Sequence, residues 1–247
     1  MVNIKYLFFI FLVFLCSCRN QDGLKEQKPV PGSQTAKTFN DPVKLNYLLY
    51  LPADYDPNRK QGYPAILFLH GAGERGDSVE ALTQWGPPKI AENHGLPFIV
   101  ISPQCPKGHW WTSMMYQVKN LLDYSIKTYN IDTTRIYLTG LSMGGYGTFE
   151  FSMVYPDYFA AVAPMCGGGT PSMLNFIKKY PPIWVFHGDA DKIVPVESSK
   201  IMVDALKKKG FDVKFTVYKG GDHYIFQKAY REEGLFDWFL EHKKGIR

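Results

Sequence analysis

Apolar runs on consecutive positions alternate with helical patterns over most of the chain. Continuous runs, rather than an in-and-out alternation, are typical of strands that are covered on both faces of a sheet. They occupy residues 44–51, 65–70, 97–102, 135–139, 159–165, 183–187 and 213–218. Helical periodicity occurs in residues 113–130, 146–155, 196–209 and 235–242. This order predicts an α/β fold, with a mostly parallel central sheet and helices on both faces.

The first eighteen residues follow a different pattern. A ten-residue apolar run at positions 6–15 is too short to cross a membrane as a helix and is typical of a signal peptide. The sequence LCSC that ends at Cys18 resembles a bacterial lipobox, which predicts a signal peptide over residues 1–17 and lipidation of Cys18. This interpretation makes the protein an exported lipoprotein, anchored to a membrane in the periplasm or at the cell surface. The alternative is ordinary secretion after cleavage near Ser17.

Beyond this leader, composition limits the possible functions. Residues 18–43 are polar, with scattered proline, glycine and lysine, which predicts a flexible tether. Residues 44–247 contain no internal repeat and no low-complexity tract, so we predict one domain there. The formal net charge is +5 without a dense basic run, which argues against nucleic acid as a partner. Aromatic residues make up 15% of the chain, a high share that leaves some for a binding site.

A serine between glycines follows the strand predicted at 135–139. The sequence GLSMG, centred on Ser142, joins that strand to the helical pattern at 146–155. A serine on such a sharp turn has a strained backbone and projects its hydroxyl above the sheet, and glycine on either side avoids collisions with strand and helix. The helix N-terminus behind it favours developing negative charge. Ser142 is therefore a candidate nucleophile, with an inert serine in a glycine-rich turn as the alternative.

From about residue 44 to residue 243 the chain resembles the α/β-hydrolase superfamily. The resemblance rests on the GxSxG turn at Ser142, on HGAGERG beginning at His70, on PQCP at residues 103–106 and on CGGG beginning at Cys166. Within the superfamily, the chain is most similar to secreted esterases of the feruloyl-esterase and polyhydroxybutyrate-depolymerase type. That branch is also described as prolyl-oligopeptidase-like predicted peptidases.

The resemblance implies an oxyanion site and a sheet order. The loop after His70 supplies one oxyanion amide in this superfamily, which points to the backbone N–H groups of Ala72 and Met143. The superfamily's strand order separates the strand ends before Cys105 and Cys166 by about 14 Å, whereas a disulfide needs Cα atoms within ~7 Å. We therefore expect both thiols to be free. Because few residues precede the buried strands, we also expect the family's eight strands to be reduced at the N-terminal edge.

The resemblance also assigns an acid and a base. The superfamily pattern HGxxDxxVP, which this chain matches, favours Asp191 as the triad acid over Asp189, which becomes a turn residue satisfying local backbone amides. Of the six histidines, His223 and His242 follow both the nucleophile and the acid; His242 lies on the predicted terminal helix, so His223, in the loop after the last strand, matches the superfamily order. His70 and His187 end strands beside glycines, and we expect them to make structural contacts.

Together these residues predict a serine hydrolase with a single α/β-hydrolase catalytic domain. We expect His223 to take the Ser142 proton while Ser142 attacks a carbonyl and Asp191 orients the imidazole. The two backbone amides would hold the oxyanion, and water would then hydrolyse the acyl-enzyme. The sequence contains no metal-ligand cluster, phosphate loop or dinucleotide fingerprint, so no metal and no cofactor is expected.

The substrate class is inferred from what surrounds these motifs. Residues 166–181, where many lipases and peptidases of this fold carry a lid, number only sixteen, which predicts an open site without a large lid. An open site suits esters on bulky or polymeric substrates. Trp110 and Trp111 are candidates to stack on an aromatic acyl group or a sugar ring, with loop packing as the alternative. Trp85 is a third candidate at the same cleft.

We therefore expect a carboxylesterase that hydrolyses feruloyl or acetyl esters of polysaccharides. Its expected partners are the ester substrate, a polymeric carbohydrate among the candidates, and the membrane that holds the lipid anchor. Two alternatives stay open. One is a serine peptidase of the prolyl-oligopeptidase-like type that acts on short peptides, and the other is a surface lipoprotein that uses the fold for binding only.

Overall fold

The computed structural model describes residues 28–40 and 44–245. Within these ranges the chain forms eight strands: β1 Gln34–Asn40, β2 Lys44–Tyr50, β3 Tyr63–Leu69, β4 Ile99–Pro103, β5 Ile131–Leu141, β6 Ala161–Met165, β7 Ile183–Gly188 and β8 Val213–Tyr218. They form one sheet in the order β1-β2-β4-β3-β5-β6-β7-β8. The pairs β1–β2 and β2–β4 are antiparallel, and the remaining neighbouring pairs are parallel.

Helices cover both faces of this sheet. In the described part of the chain they are α1 Gly86–His94, α2 Met115–Thr128, α3 Met143–Val154, α4 Glu197–Lys208, α5 Phe226–Glu232 and α6 Leu235–Glu241. Side chains along β3 alternate between two cores: Leu67 and Leu69 share one with α2, α3 and α4, whereas Ile66 and Phe68 share the other with α1, α5 and α6. The predicted α/β fold with helices on both faces is confirmed.

Amphipathic patterning explains α2 and α4. The buried face of α2 comprises Val118, Leu121, Leu122 and Ser125, at the helical spacing visible in the sequence. α4 carries Lys207 and Lys208 in its last turn, where basic side chains complement the helix dipole. Gly210 follows with a φ of 76°, a left-handed conformation that ends the helix at little cost.

α3 is buried almost all round, unlike the amphipathic helices. Gly144, Gly145 and Gly147 lie in its first turns, and a Cβ at any of them would collide with β3, with the end of β6 or with Trp111. These small residues let α3 lie directly on the sheet. The close packing fixes the position of Ser142, the residue from which the helix begins.

The tether prediction is wrong over β1, which pairs with β2 along its whole length. The inward-facing residues of β1 are Thr35, Lys37 and Phe39. Two of these three are polar, so hydrophobic alternation does not reveal the strand in the sequence. The folded domain therefore includes Gln34–Asn40. The expected loss of strands at the N-terminal edge is wrong for the same reason, because β1 and β2 complete a sheet of eight within the described residues.

The predictions for the N-terminal leader concern residues that the structure does not describe. The signal peptide at residues 1–17, the lipidated Cys18 and the first part of the tether lie outside the described residues. Over residues 28–40 and 44–245, no helix combines the length and the apolar character that crossing a bilayer requires.

The sequence pattern does not predict α1 and α5. The first turn of α1 is formed by glycine and proline, and only Ala91 adds a buried apolar side chain beyond that turn. α5 buries Phe226, Ala229 and Tyr230 at helical spacing, but it is only seven residues long. Helices this short offer too few periodic positions for recognition from a hydrophobic pattern.

The carboxyl ends of the parallel strands form an open edge. The segment between β6 and β7 contains one short 3-10 helix, Pro171–Phe176, and no longer element. The prediction that the domain carries no large lid is thus confirmed. All of the predicted site residues outside the leader follow the carboxyl ends of strands, which is where ligands bind in folds of this kind.

Candidate active site

Ser142 lies in the turn between β5 and α3 with a φ of 54° and a ψ of −116°. This positive φ is strained for a residue with a side chain, and such strain is concentrated at functional sites. Ser142 N donates to Met165 O at 2.9 Å, which fixes the turn against β6. A Cβ at Gly140 would lie 2.6 Å from Leu69 O, and a Cβ at Gly144 would overlap the same carbonyl. The turn has the geometry that the GxSxG sequence predicts.

Two unpaired amides adjoin this turn. Met143 is the first residue of α3, and Ala72 is the first residue of a 3-10 helix, Ala72–Glu74, that follows β3. Amides in the first turn of a helix have no acceptor within the helix. In the described residues neither N–H donates to another backbone carbonyl. Both are therefore available to a developing oxyanion, as predicted for Ala72 and Met143.

Asp191 and His223 form a hydrogen-bonded pair across the loops after β7 and β8. His223 Nδ1 donates to Asp191 Oδ2 at 2.6 Å. Asp191 Oδ1 accepts from the amides of Ile193 and Val194 at 2.8 and 2.9 Å. Burial by itself raises the pKa of Asp191, but the hydrogen bonds from His223 and the two amides outweigh it and hold the pKa below its usual value. Asp191 is thus an anion, and it fixes the His223 proton on Nδ1.

Asp189, the competing carboxylate, has the predicted turn role. It is exposed, and its Oδ1 accepts from Gly220 N at 2.6 Å, which ties the loop after β7 to the loop after β8. Asp222 similarly caps its own loop by accepting from Tyr224 N at 2.8 Å. Neither carboxylate is bonded to His223.

The end of β6 joins Ser142 to His223. Met165 O accepts from Ser142 N, and the Sγ of the next residue, Cys166, donates to His223 O at 3.4 Å. No hydrogen bond connects Ser142 Oγ with His223 among the described residues. Catalytic hydrogen bonds are often loose without substrate and tighten in the complex. Cys166 and Cys105 are both buried, and both thiols are free. Burial raises the pKa of each thiol.

His70 connects the loop after β3 to the loop after β4. Its Nδ1 donates to Gly71 O at 2.6 Å, and its Nε2 accepts from Cys105 N at 2.9 Å. Burial lowers the pKa of His70 to about 4, so the ring is neutral at ordinary pH. The structural role expected for His70 therefore includes holding the backbone beside Ala72.

Trp111 lies underneath this loop rather than in the cleft. It is only 2% exposed, its Nε1 donates to His70 O at 2.9 Å, and its ring lies 4.9 Å from that of His70. It has almost no free surface for a substrate. The structure thus corrects the prediction of Trp111 as a substrate contact in favour of the loop-packing alternative.

Trp110 and Trp85 both retain free surface. Trp110 is half exposed, with the Arg75 guanidinium 5.1 Å from its ring centre. The ring of Trp85 lies 6.0 Å from the ring of Tyr224, and Tyr224 in turn lies 6.0 Å from the His223 ring. Sequence reasoning missed Tyr224. Its position directly after the predicted base is the signal that could have identified it.

Three neighbouring groups have the composition of a metal site. One ligand atom each from Cys166, His187 and Asp191 lies within 4.8 Å of the others. However, His187 Nε2 lies 2.9 Å from Val194 O, so it must carry a proton there and cannot ligate. The carboxylate oxygens of Asp191 are already bonded to His223 and to two amides. The donor set therefore fits a hydrogen-bonded support of the acid and not a metal centre.

Comparison with known families supports the same arrangement. A model of the dienelactone hydrolase family matches residues 104–237, which is more than half of the chain. The chain belongs to the dienelactone hydrolase family. Membership in this family, which lies within the α/β-hydrolase superfamily, confirms the resemblance that the motifs predicted.

Relatives of this dienelactone hydrolase family member include polysaccharide esterases. A bifunctional acetylxylan esterase/xylanase of Neocallimastix patriciarum is 33% identical over 144 residues, covering 56% of this chain and 20% of the relative. Acetylxylan esterase A of Emericella nidulans is 29% identical over 178 residues, covering 65% of this chain and 55% of the relative. The chain thus spans between one fifth and about half of the length of these relatives.

Among solved structures, the crystal structure of a thermostable esterase superposes with a TM-score of 0.78 at 36% identity. The match covers 85% of this chain and 63% of that chain. An esterase fold therefore accounts for nearly all of the described domain.

Proposed function

We propose that this dienelactone hydrolase family member is a serine carboxylesterase that releases acetyl or feruloyl groups from polysaccharides. The observation that carries the proposal is the Asp191–His223 pair, 2.6 Å apart, beside a strained serine elbow. The similarity to acetylxylan esterases supports the substrate class. Within the proposal, Ser142, Asp191 and His223 are the catalytic residues, and Ala72 and Met143 supply the oxyanion amides.

The proposed mechanism uses the proton positions that the hydrogen bonds define. Asp191 keeps the His223 proton on Nδ1, which leaves Nε2 to accept the Ser142 proton as the serine oxygen attacks the ester carbonyl. The two first-turn amides stabilise the oxyanion. His223 then gives its Nε2 proton to the leaving alcohol, and a water molecule activated by His223 hydrolyses the acyl-enzyme.

The open carboxyl edge supports a polymeric substrate. No element longer than one 3-10 helix lies between β6 and β7, so a polysaccharide chain can reach the elbow without displacing a lid. Trp110, and Trp85 together with Tyr224, offer rings on which a sugar or an aromatic acyl group can stack. Trp110 and Trp85 are accordingly proposed as substrate-binding residues.

A substrate panel tests the proposal. We expect acetylated xylan, 4-nitrophenyl acetate and methyl ferulate to be hydrolysed faster than an Ala-Pro anilide, and Ser142→Ala to abolish all turnover. Faster anilide than ester hydrolysis would identify a peptidase instead. Polysaccharide binding that persists without any turnover in the wild-type protein would identify the binding-only lipoprotein.

We also propose export and lipidation at Cys18, with residues 1–17 removed, on the strength of the LCSC sequence alone. The folded domain would then be connected to the anchor through the residues that precede Gln34. Metabolic labelling with an alkyne fatty acid in a bacterial host should mark the wild-type protein and not Cys18→Ala. Equal labelling of both proteins, or of neither, contradicts the proposal.

A further inference from the structure

A second histidine, besides His223, lies against the carboxylate of Asp191. His187, the last side chain of β7 before Gly188, is fully buried, and its Nε2 lies 3.3 Å from Asp191 Oδ2 and 2.9 Å from Val194 O. A carbonyl and a carboxylate can only accept hydrogen bonds, so Nε2 must carry the proton. His187 therefore donates this proton to Val194 O on the loop of the acid, with the Asp191 carboxylate directly beside it.

The other edge of His187 leads back toward the serine elbow. Since Nε2 carries the ring proton, Nδ1 accepts from the hydroxyl of Ser199 on α4 at 2.8 Å, and the same hydroxyl oxygen lies 2.7 Å from Gly167 O. Gly167 packs tightly against the start of α3, where a Cβ would lie only 2.7 Å from Tyr146 N. Polar contacts thus run from the Asp191 loop through His187 to Ser199, which lies beside the backbone that supports α3.

We propose that His187 is a positioning residue that, with Ser199, holds Asp191 at a fixed place relative to the elbow that carries Ser142. Amides on the same loop constrain Oδ1 of Asp191, but they move with that loop. His187 belongs to an interior strand of the sheet, next to β8, and Ser199 to a helix packed on the sheet. The His187–Ser199 contact therefore ties the loop of the acid to the sheet and to α4. This inference rests on the proposed function, because the acid matters only if the triad works.

The charged surroundings suit this role. The titratable groups around His187 are Asp191 on its own loop, Glu197 on α4, Cys166 after β6 and His223 after β8. Burial lowers the pKa of His187 despite the neighbouring carboxylate, so the ring is neutral at neutral pH and carries its proton on Nε2. A neutral donor orients Asp191 without cancelling the negative charge that His223 needs.

Two amide substitutions separate positioning from simple space-filling. The amide nitrogen of His187→Gln reaches the place of Nε2 and keeps the donor to Val194 O beside Asp191, whereas that of His187→Asn reaches only the place of Nδ1. We expect His187→Gln to retain kcat within about threefold and His187→Asn to lose at least roughly tenfold in kcat with KM nearly unchanged. Turnover is normalised to sites titrated with a fluorophosphonate, so that partial unfolding does not count as lost kcat.

A serine pair provides the matched control. Ser199→Ala removes the hydroxyl that bonds His187 Nδ1 and should lower kcat, whereas Ser125→Ala removes an equally buried hydroxyl that bonds only to Leu121 O within α2. If His187→Asn does not fold, the comparison of these two alanine variants decides the question. Equal kcat in Ser199→Ala, Ser125→Ala and the wild type would overturn the positioning role, as would equal kcat in the Gln and Asn variants.

A spectroscopic measurement keeps the two proposals distinguishable. The proton shared by His223 Nδ1 and Asp191 should give a far-downfield NMR resonance in protein without substrate, and this resonance should shift in His187→Asn but not in Ser125→Ala. If esters are not hydrolysed yet the resonance shifts, the proposed function fails and the positioning stands. If Ser142→Ala abolishes turnover but neither the resonance nor kcat responds at His187, the positioning fails and the function stands.

Discussion

The same dipeptide, His-Gly, lies at the ends of two parallel strands on opposite sides of the elbow, with His70 directly after β3 and His187 at the end of β7. Both histidines are buried, and both ring nitrogens of each are hydrogen bonded. Every hydrogen-bond partner of the His70 ring is a backbone group. His187 bonds Val194 O and the hydroxyl of Ser199, and the Asp191 carboxylate lies 3.3 Å from its Nε2.

The comparison shows that a histidine at the end of a strand can support different parts of a site. In both places the ring satisfies groups that the loop buries, which is a structural requirement. The loops next to His70, residues 71–76 and 104–113, form the oxyanion side of the site, where the histidine bonds backbone groups. The loops next to His187, residues 188–196 and 219–225, form the acid side, where the histidine lies beside the carboxylate of Asp191. The side chain that follows in each loop decides which chemistry the histidine supports.

The largest effect is expected on the acid side. Asp191→Asn should lower kcat by about 10⁴-fold, because an amide no longer holds His223 in the tautomer that accepts the serine proton. Asp189→Asn keeps an oxygen acceptor for Gly220 N and should retain wild-type turnover. Measured kcat values with 4-nitrophenyl acetate for the two variants check the assignment. A larger loss at Asp189 than at Asp191 would reverse the choice of acid.

A backbone substitution probes the oxyanion side. Ala72→Pro removes one amide at the first position of a 3-10 helix, where proline is compatible and Gly71 is already extended. We expect kcat to fall by roughly 10²- to 10³-fold with the melting temperature nearly unchanged. The matched change Gly73→Ala meets nothing within 4 Å and should leave kcat unaltered. Wild-type kcat in Ala72→Pro would remove Ala72 from the oxyanion site.

The pH dependence of stability distinguishes His70 as a neutral structural group. Its folded pKa of about 4 lies below the ordinary value of 6.5, so the unfolded chain binds the proton more readily. Stability should therefore fall as the pH is lowered from 6.5 to 4, by about 3 kcal/mol from this residue alone. Above pH 6.5 the contribution is fully present.

His70→Asn tests this contribution. The variant keeps a donor toward Gly71 O and loses the acceptor for Cys105 N, so it should be less stable than the wild type at pH 7. Its melting temperature should nevertheless vary less between pH 6.5 and pH 4, as measured by calorimetry. Parallel curves for the two proteins would show that His70 does not titrate in this range.

The smallest effect is expected at Trp110, the half-exposed ring proposed to contact the polysaccharide. Trp110→Ala should raise KM for acetylated xylan a few-fold, since stacking of one ring contributes only about 1 kcal/mol. The KM for 4-nitrophenyl acetate serves as the control and should stay the same, because so small an ester does not reach the Trp110 ring. Equal changes for both substrates would place Trp110 in the support of the loop through Arg75 instead.

Much of the site was predictable because each chemical group sits in a local sequence pattern. Gly140 and Gly144 lie so close to Leu69 O that a side chain would not fit, so glycine at these two positions is visible in the sequence as the GxSxG pattern. Asp191 and Asp189 are separable by the HGxxDxxVP pattern: Asp191 bonds backbone amides of its own loop, whereas Asp189 bonds the amide of Gly220 in the loop after β8. Trp110 and Trp111 are adjacent in sequence and identical in type, so no local pattern distinguishes the exposed ring from the buried one.

The sequence by itself determined the alternation of strands and helices, the elbow and the order of the three candidate triad residues, because these depend on local geometry and on burial along single elements. Only the tertiary structure decided which groups meet across elements. It paired β1, whose inward face is largely polar, with β2, and it buried Trp111 beneath His70. It also brought His187 and His223 to one carboxylate from loops after two different strands. Such contacts depend on the packing of distant segments, which leaves no periodic trace in the chain.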